Sequence, residues 1–252
     1  MPANTERFSN RVDNYVKYRP HYPKAIIDYF SESTQLCKES VVADIGSGTG
    51  ILTELFLQNG NPVFAVEPNE AMRLKAEELF GNYKNFTSIN GTAENTTIKN
   101  NSVDLIVAAQ SFHWFDAIKT KEEFKRIAKP NAFAALIWNE RQVESDFEKG
   151  YENFLLKYAT DYSTVNHKNI SEEKIGAFFY PGKFTVKAFE NNQVFSFEGL
   201  KGRLLSSSYI PLENNDRFTL MINELKELFE KYQQKEEVFF NYITKVYSGK
   251  IS

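Results

Sequence analysis

A glycine-rich loop and a nearby acidic residue are the parts of this sequence best suited to chemistry. The loop, residues 44–50, reads DIGSGTG and lies between an apolar run and an amphipathic helical pattern. Glycines in such a turn let the backbone approach a ligand closely, and the helix that follows offers free N–H groups to a carboxylate or phosphate. Glu67 ends the next apolar run, where a carboxylate can accept hydrogen bonds from both ribose hydroxyls. The two features together predict a site for a nucleoside-containing cofactor.

The elements that position these residues follow a βαβ pattern. Over residues 41–138, short apolar runs alternate with helical patterns, which is typical of a parallel sheet. The runs Leu105–Ala109 and Ala134–Trp138 are apolar at successive positions, so they predict central strands covered by helices on both faces. Gly60 is expected to end the helix that follows the loop. The predicted fold class is therefore α/β, with a Rossmann-like sheet and helices on both of its faces.

The flanking segments predict additions to this sheet. Pro23–Ser33 reads as a helix. The polar, helical segment Arg141–Phe179 predicts an insertion over the carboxyl end of the sheet, where insertions govern substrate entry. The tail continues with KFTVKAFE and QVFSFE, then helices near Gly199–Ser206 and Asn214–Gln233, and ends in EVFFNYITKVYS. We expect an antiparallel strand pair at the sheet edge.

One domain is expected over residues 1–252. Its parts are an N-terminal arm and helix, a cofactor-binding core, a helical insertion, and C-terminal strands and helices, over residues 1–40, 41–140, 141–180 and 181–252 respectively. A chain of 252 residues with 42% hydrophobic composition is long enough to bury one sizeable core.

The composition disfavours several classes of function. The formal net charge is −3 and the cationic side chains are dispersed, so no electrostatic footprint for nucleic acid is present. Cys37 is the one cysteine, which excludes an intramolecular disulfide and a cysteine-based zinc cluster. No run approaches the roughly 20 apolar residues that span a bilayer. We therefore expect a cytoplasmic monomer or homodimer that binds a small-molecule substrate and neither nucleic acid nor membrane.

Several segments together resemble a known family. The segments ADIGSGTG, AVEPN, NGTAENT, SVDLIVAAQSFHWFD and RIAKPNAFAALIW are similar to those of class I S-adenosylmethionine-dependent methyltransferases. The resemblance covers roughly residues 8–138 and points to the small-molecule branch with trans-aconitate methyltransferase and the ubiquinone and menaquinone biosynthesis methyltransferases. AQSFHWFD and FSNRVDNYVKYRPHYP are most typical of the first of these. The resemblance implies a seven-stranded, mostly parallel sheet with one antiparallel strand, and S-adenosyl-L-methionine as the cofactor without a metal.

The resemblance also implies how the cofactor is held at the loop and at the next strand. The loop would pass beneath the methionine part, with its first carboxylate orienting the loop, and the second carboxylate would hold the ribose. The residues implied here are Asp44, Gly46, Ser47, Gly48, Gly50 and Glu67.

A second set of residues is implied around the adenine. Pro68 and Met72 would flank the ring, and Thr92, Ala93 and Glu94 would contact its edge and support the adjoining loop. Thr92 departs from the family, in which many members carry Asp at this position to accept from the adenine amino group. The sequence therefore does not decide whether the Thr92 side chain contacts the adenine amino group.

The acceptor end of the site is expected after the fourth strand. The resemblance implies that Ala109 and Gln110 border the sulfonium and the methyl acceptor. His113 is either a donor or general base that faces the acceptor, or a structural histidine bonded to a neighbouring loop. Trp114 is interpreted as pocket wall, and Tyr209 as a pocket residue or a packing residue.

The segment Tyr18-Arg19-Pro20-His21-Tyr22-Pro23 is expected to form an ordered arm, because prolines and aromatic residues restrict it. Arg19 could close over the site and pair with a carboxylate of the cofactor or the substrate, with a solvated arginine as the alternative. Tyr18 is placed with the substrate pocket. Elsewhere, Asn131 stands where the family carries Gly, and Asn also tolerates a positive φ.

Methyl transfer from a sulfonium is an in-line displacement, and holding the acceptor close in a dry pocket can supply most of the catalysis. A carboxylate acceptor is already nucleophilic and needs orientation by cations or hydrogen-bond donors, whereas a phenol, amine or carbon acid calls for a base. The sequence leaves this choice open.

Three other functions compete with this interpretation. A nicotinamide-dependent oxidoreductase could use the same acid, but the loop spacing G-x-G-x-G differs from the dinucleotide fingerprint. A non-catalytic S-adenosylmethionine-binding protein is compatible with the fold. A nucleic acid or protein acceptor is disfavoured by the acidic pI of about 5.8.

Overall fold

The computed structural model describes residues 11–160, 162, 172–211 and 213–251. The first ten residues of the expected N-terminal arm, and residues 161 and 163–171 of the expected insertion, lie outside the described residues.

The described residues form one seven-stranded sheet. Its strands are β1 (Val42–Ile45), β2 (Val63–Val66), β3 (Phe86–Ile89), β4 (Val103–Ala109), β5 (Ala128–Arg141), β6 (Phe184–Phe195) and β7 (Val238–Lys250). The strand order is β3-β2-β1-β4-β5-β7-β6. Strands β1 to β5 pair in parallel, whereas β7 runs antiparallel to both β5 and β6. The predicted Rossmann-like, mostly parallel sheet with one antiparallel strand is confirmed.

The central strands form because apolar residues occupy both of their faces. All four residues of β1 are buried, and in β4 the four residues from Leu105 to Ala108 are buried as well. Neighbouring residues of a strand point to opposite faces, so Val42 packs in one hydrophobic cluster and Ala43 in another. This burial on both faces is what the successive apolar residues predicted.

One part of the tail differs from the sequence prediction. KFTVKAFE and QVFSFE read as two separate strand segments, but Phe184–Phe195 is a single strand that pairs with β7 along its whole length. The polar residues Glu190–Gln193 continue the strand because they pair with Phe240–Ile243, which satisfies their backbone groups. The expected antiparallel pair at the sheet edge is therefore β6 with β7.

Helices cover both faces and one end of the sheet. They are α1 (Val12–Tyr18), α2 (Ala25–Thr34), α3 (Ile51–Asn59), α4 (Glu70–Phe80), α5 (Ala117–Ile127), α6 (Asp146–Tyr158), α7 (Glu172–Phe179), α8 (Phe197–Leu205) and α9 (Phe218–Tyr232). A 3-10 turn spans Phe112–Trp114. Gly60 ends α3 with a φ of 100°, as predicted, and Asn131 adopts the expected positive φ of 69°.

Three hydrophobic clusters organise the helices. Helices α2, α3 and α4 pack on one face of the sheet, and α5 and α7 on the other. Helices α6, α8 and α9 form a third cluster with the ends of β6 and β7. The pairing of β5 with β7 ends at Arg141↔Tyr242, while that of β6 with β7 continues to Phe195↔Val238. The third cluster therefore lies beyond the carboxyl end of β5, where the expected insertion contributes α6.

The second helix of that insertion has a different position. Ile175, Phe178 and Phe179 of α7 belong to the cluster that α5 covers, and not to the one beyond the end of β5. No helix of the described residues is long and apolar enough to cross a membrane.

Candidate active site

The glycine-rich loop connects β1 to α3 at the carboxyl edge of the sheet. The N–H groups of Gly46 and Ser47 in this loop donate to the carbonyl oxygen of Val66 on β2, at 2.8 and 3.1 Å respectively. Gly46 has a φ of +67°, and a Cβ there would lie 2.7 Å from the Cβ of Ser111. Only glycine fits at this position, because Ser111, just beyond the end of β4, approaches the loop so closely.

Gly48 and Gly50 have different surroundings although both have a positive φ. A Cβ on Gly48 would meet only the Sδ of Met72, at 3.9 Å, so this position faces open space in the cavity. A Cβ on Gly50 would lie 2.5 Å from the Phe80 ring. Gly50 therefore allows α3 to pack closely against α4. The sequence predicted that Gly50 would contact the cofactor, but it does not line the cavity.

Asp44, at the base of the loop, is a buried carboxylate. Its Oδ2 accepts a hydrogen bond from the Thr53 hydroxyl at 2.6 Å, and its Oδ1 is buried without a partner among the described residues. Burial raises the pKa of Asp44 to about 7, although the Thr53 hydroxyl lowers it, and the negative charge of Glu67 adds to the rise. The free oxygen can accept a hydrogen bond or a positive charge from a ligand.

Glu67, at the end of β2, joins the loop to the next helix. Its Oε2 accepts from the Gly48 N–H and its Oε1 from the Asn69 N–H, both at 2.8 Å. Burial raises the pKa of Glu67, against the effect of these two N–H donors. A carboxylate has about four lone-pair directions, so two remain for a diol such as a ribose.

The residues expected around the adenine line the same end of the cavity. They are Pro68, Met72, Thr92, Ala93 and Glu94. The Asn69 side chain caps α4 by accepting from the Met72 N–H at 2.9 Å, which fixes Met72 on the first turn of the helix. The Glu94 carboxylate accepts from the Asp116 N–H at 2.9 Å.

The end of β4 supplies the middle of the cavity wall. Ala109, Gln110, His113 and Trp114 all line it. Gln110 has a φ of 56° and its amide donates to the Asn139 carbonyl at 3.1 Å. The rings of His113 and Trp114 lie 4.6 Å apart on the 3-10 turn, so both are held at the cavity by a short rigid segment.

The arm reaches the cavity through Arg19, which lines it, and Pro20 and Tyr22 do so as well. Arg19 donates from Nη2 to the Ser206 carbonyl at 2.9 Å, while its Nε is buried without a partner among the described residues. Tyr209 lies in the lining, as expected, but Tyr18 does not. The Tyr18 ring packs instead on Phe195, with 6.5 Å between ring centroids.

Two arginines that the sequence analysis did not select also line the cavity. Arg203 on α8 is 8% exposed, donates to the Ser207 hydroxyl at 3.1 Å, and has a buried Nε without a partner in the described chain. Arg141 ends β5 and is paired with Glu152, above the rings of Tyr151 and Phe240. The sequence does place Arg203 between Leu200 and Leu204 on a helix face that is buried. This pattern could have identified it, because arginine is rarely buried unless it is paired.

These walls enclose a cavity of about 320 Å³, which is within the range of small-molecule sites. We call the part of the wall that contains Asp44 and Glu67 the cofactor end, and the part that contains the arginines, Tyr162, Tyr209 and Tyr242 the acceptor end. No group of three or more potential metal ligands occurs among the described residues.

The cofactor end fits S-adenosylmethionine. Asp44 has a buried oxygen without a partner among the described residues, and the positive φ at Gly48 leaves the loop surface open to a ligand. Glu67 retains acceptor capacity at the end of β2, where a ribose binds in sheets of this topology.

Comparison with known proteins agrees with this fit. The methyltransferase domain family matches residues 43–136. An uncharacterized methyltransferase of Bacillus licheniformis is 30% identical over 177 residues, which are 66% of this chain and 82% of that protein. A methyltransferase-like protein of Schizosaccharomyces pombe is 26% identical over 96% of this chain and 94% of its own length.

A solved structure has the same architecture. A protein from Anaeromyxobacter dehalogenans, described as a putative type II methyltransferase, superposes with a TM-score of 0.71 at 21% sequence identity. The alignment covers 93% of this chain and 98% of that one, so the two chains share one fold over most of their lengths.

Proposed function

Because this chain belongs to the class I S-adenosylmethionine-dependent methyltransferases, we propose that it methylates a carboxylate oxygen of a small-molecule acceptor. The observation that carries the proposal is the pair Arg19 and Arg203 in the cavity wall. Neither forms an ion pair with an acidic side chain of the described residues.

The electrostatics of the pair favour an anionic ligand. Both guanidinium groups contact the Ser207 hydroxyl, so they are close neighbours. Burial lowers the pKa of Arg19, and the positive charge of Arg203 lowers it further. A buried cation without a counter-ion is costly, and a bound carboxylate would offset that cost while accepting paired N–H donors.

Each end of the cavity then has a role in the reaction. When bound, S-adenosylmethionine supplies an electrophilic methyl group on a sulfonium sulfur. Asp44, the loop and Glu67 hold the cofactor at one end. At the other end, Arg19 and Arg203 orient an acceptor carboxylate that is nucleophilic without losing a proton, so the chain needs no general base.

His113 has a supporting role in this scheme. It lies on the 3-10 turn that follows β4, among the residues that line the cavity. A ring N–H at that position can donate a hydrogen bond to the acceptor. We assign it orientation of the acceptor and not removal of a proton, and Trp114 and Tyr209 form adjacent walls.

The other functions considered from the sequence lack comparable support. A cationic amine acceptor would be repelled by the two guanidinium groups, and the relatives found are methyltransferases and not nicotinamide-dependent enzymes. We propose that the protein acts on a small molecule without nucleic acid, as a monomer or homodimer in the cytoplasm.

The test is transfer of a tritiated methyl group from S-adenosylmethionine to a panel of mono-, di- and tricarboxylic acids, with amines and phenols in parallel. A methyl ester releases volatile methanol in base, whereas N-methyl and C-methyl products do not. Base-labile label with an acid from the panel is the expected result. Label only in base-stable products, or none with any acid, would contradict the proposal.

Arg203→Met tests the observation that carries it. Removing one partner of a buried charged contact costs about 2 kcal/mol or more, so the KM for the acid should rise on the order of 30-fold. Arg217→Met removes an exposed arginine that lies over the Tyr158 ring and serves as the matched control. Equal KM values for the two variants would refute the role of Arg203.

A further inference from the structure

The arm packs against α8. None of the residues of α1 is buried. The guanidinium group of Arg11 donates to the carbonyl oxygens of Leu205 and Ile210 at 2.8 and 2.5 Å. Arg19, at the other end of α1, donates to the Ser206 carbonyl. The arm thus docks on the carboxyl end of α8.

Gly202 forms a notch in α8 that receives the Tyr18 ring. A Cβ at Gly202 would overlap three ring atoms of Tyr18, so no other residue type permits this packing. Glycine inside a helix costs about 1 kcal/mol relative to alanine. The stability of α8 by itself would therefore favour alanine at position 202. The helical Gly176 differs, because a Cβ there would meet only Phe184, at 3.8 Å.

The backbone of Tyr18 is fixed as well. The Gln193 amide donates to the Tyr18 carbonyl at 3.1 Å, and its oxygen accepts from the Tyr242 hydroxyl at 3.0 Å. Tyr242 itself lines the cavity. Arg19 follows directly as the C-cap of α1, in extended conformation, so its side chain starts from an anchored residue.

We propose that Gly202 is a positioning residue for acceptor recognition: by admitting the Tyr18 ring into α8, it places the Arg19 guanidinium group in the cavity. The inference rests on the proposed function, because it assigns Arg19 to the acceptor carboxylate. Gly202 and Tyr18 both lie outside the cavity lining and act through Arg19. Any side chain at position 202 should displace the ring, and the arginine with it.

Protection of the arm from trypsin measures its docking directly. Lys17 is exposed on α1, and cleavage after it requires the arm to open, so the cleavage rate follows the population of the open arm. We expect Gly202→Ala to cleave at least about tenfold faster than the wild type, as detected by mass spectrometry. Gly176→Ala, the matched control, should cleave at the wild-type rate.

Tyr18→Ala and the double variant show whether the notch acts through the ring. Tyr18→Ala should open the arm as Gly202→Ala does. Both substitutions remove the same contact between the Tyr18 ring and Gly202. Adding Gly202→Ala to Tyr18→Ala should therefore not increase the cleavage rate further. Rates that multiply in the double variant would contradict a shared contact, and an unchanged rate in Gly202→Ala would overturn the proposal.

Kinetics with the methylated acid separate positioning from general damage to the fold. Gly202→Ala should raise the KM for the acid towards that of Arg19→Ala, with kcat and the affinity for S-adenosylhomocysteine largely kept. A destabilised protein would instead lose kcat at an unchanged KM, which would refute the positioning role. If no acid of the panel is methylated, the proposed function fails, whereas the cleavage rates still decide whether Gly202 positions the arm.

Discussion

Ionisation of the buried Asp44 carboxyl group should lower the unfolding free energy of the protein as the pH rises. Its pKa moves from the ordinary 3.8 to about 7 because the carboxylate is buried. Between these two pKa values the folded state binds more protons than the unfolded state, so the unfolding free energy decreases as the pH rises through this window. Above pH 7 the accumulated loss is roughly 4 kcal/mol, at about 1.4 kcal/mol for each tenfold change in the proton equilibrium.

Asp44→Asn removes this penalty while keeping an acceptor for the Thr53 hydroxyl. Chemical denaturation without cofactor should show the variant more stable than the wild type by roughly 2 kcal/mol at pH 5, because part of the window between the two pKa values has already been crossed. At pH 8.5 the variant should be more stable by a value approaching roughly 4 kcal/mol. Asp28→Asn, which removes an exposed carboxylate of α2, controls for the loss of one charge. If the Asp44→Asn difference were the same at both pH values, the assignment of a raised pKa to Asp44 would be refuted.

Other substitutions address the cofactor end of the cavity; for the first two, binding is measured by calorimetric titration with S-adenosylhomocysteine. Glu67→Gln should weaken binding by about 1 to 3 kcal/mol through loss of a charged acceptor; unchanged affinity would count against its role at the ribose. Gly48→Val should abolish binding, because its added side chain points into the cavity and a β-branched residue is strained at a φ of +58°; normal binding would mean that the loop is misassigned. Gly46→Ala should instead lower the thermal unfolding midpoint, because its Cβ would lie 2.7 Å from Ser111, and an unchanged midpoint would contradict that packing.

The sequence predicted the cofactor half of the protein because local patterns carry it. Parallel strands covered on both faces have successive apolar residues, as in β4, and their carboxyl ends share one edge of the sheet. Gly60 and Asn131 were predictable for the same reason, since a positive φ restricts the residue type. The strand β6 was harder to predict, because its polar middle is stabilised by pairing with β7 and not by burial.

The acceptor half depends on contacts between residues far apart in the sequence. Arg203 lies 184 residues from Arg19 in sequence (203 minus 19), yet both contact the Ser207 hydroxyl, and no spacing rule connects them. Gly202 is an ordinary helical glycine until Tyr18 is placed against it. The assignment of Tyr18 to the pocket could not be checked from the sequence either, because the direction of a side chain depends on its tertiary neighbours.

The most direct test of the account is calorimetric titration of the purified protein with S-adenosylmethionine, S-adenosylhomocysteine and NAD, after removal of any cofactor that co-purifies. The geometry of the loop, Asp44 and Glu67 predicts one site per chain for the two sulfur compounds and no binding of NAD. Binding of NAD alone would contradict the account.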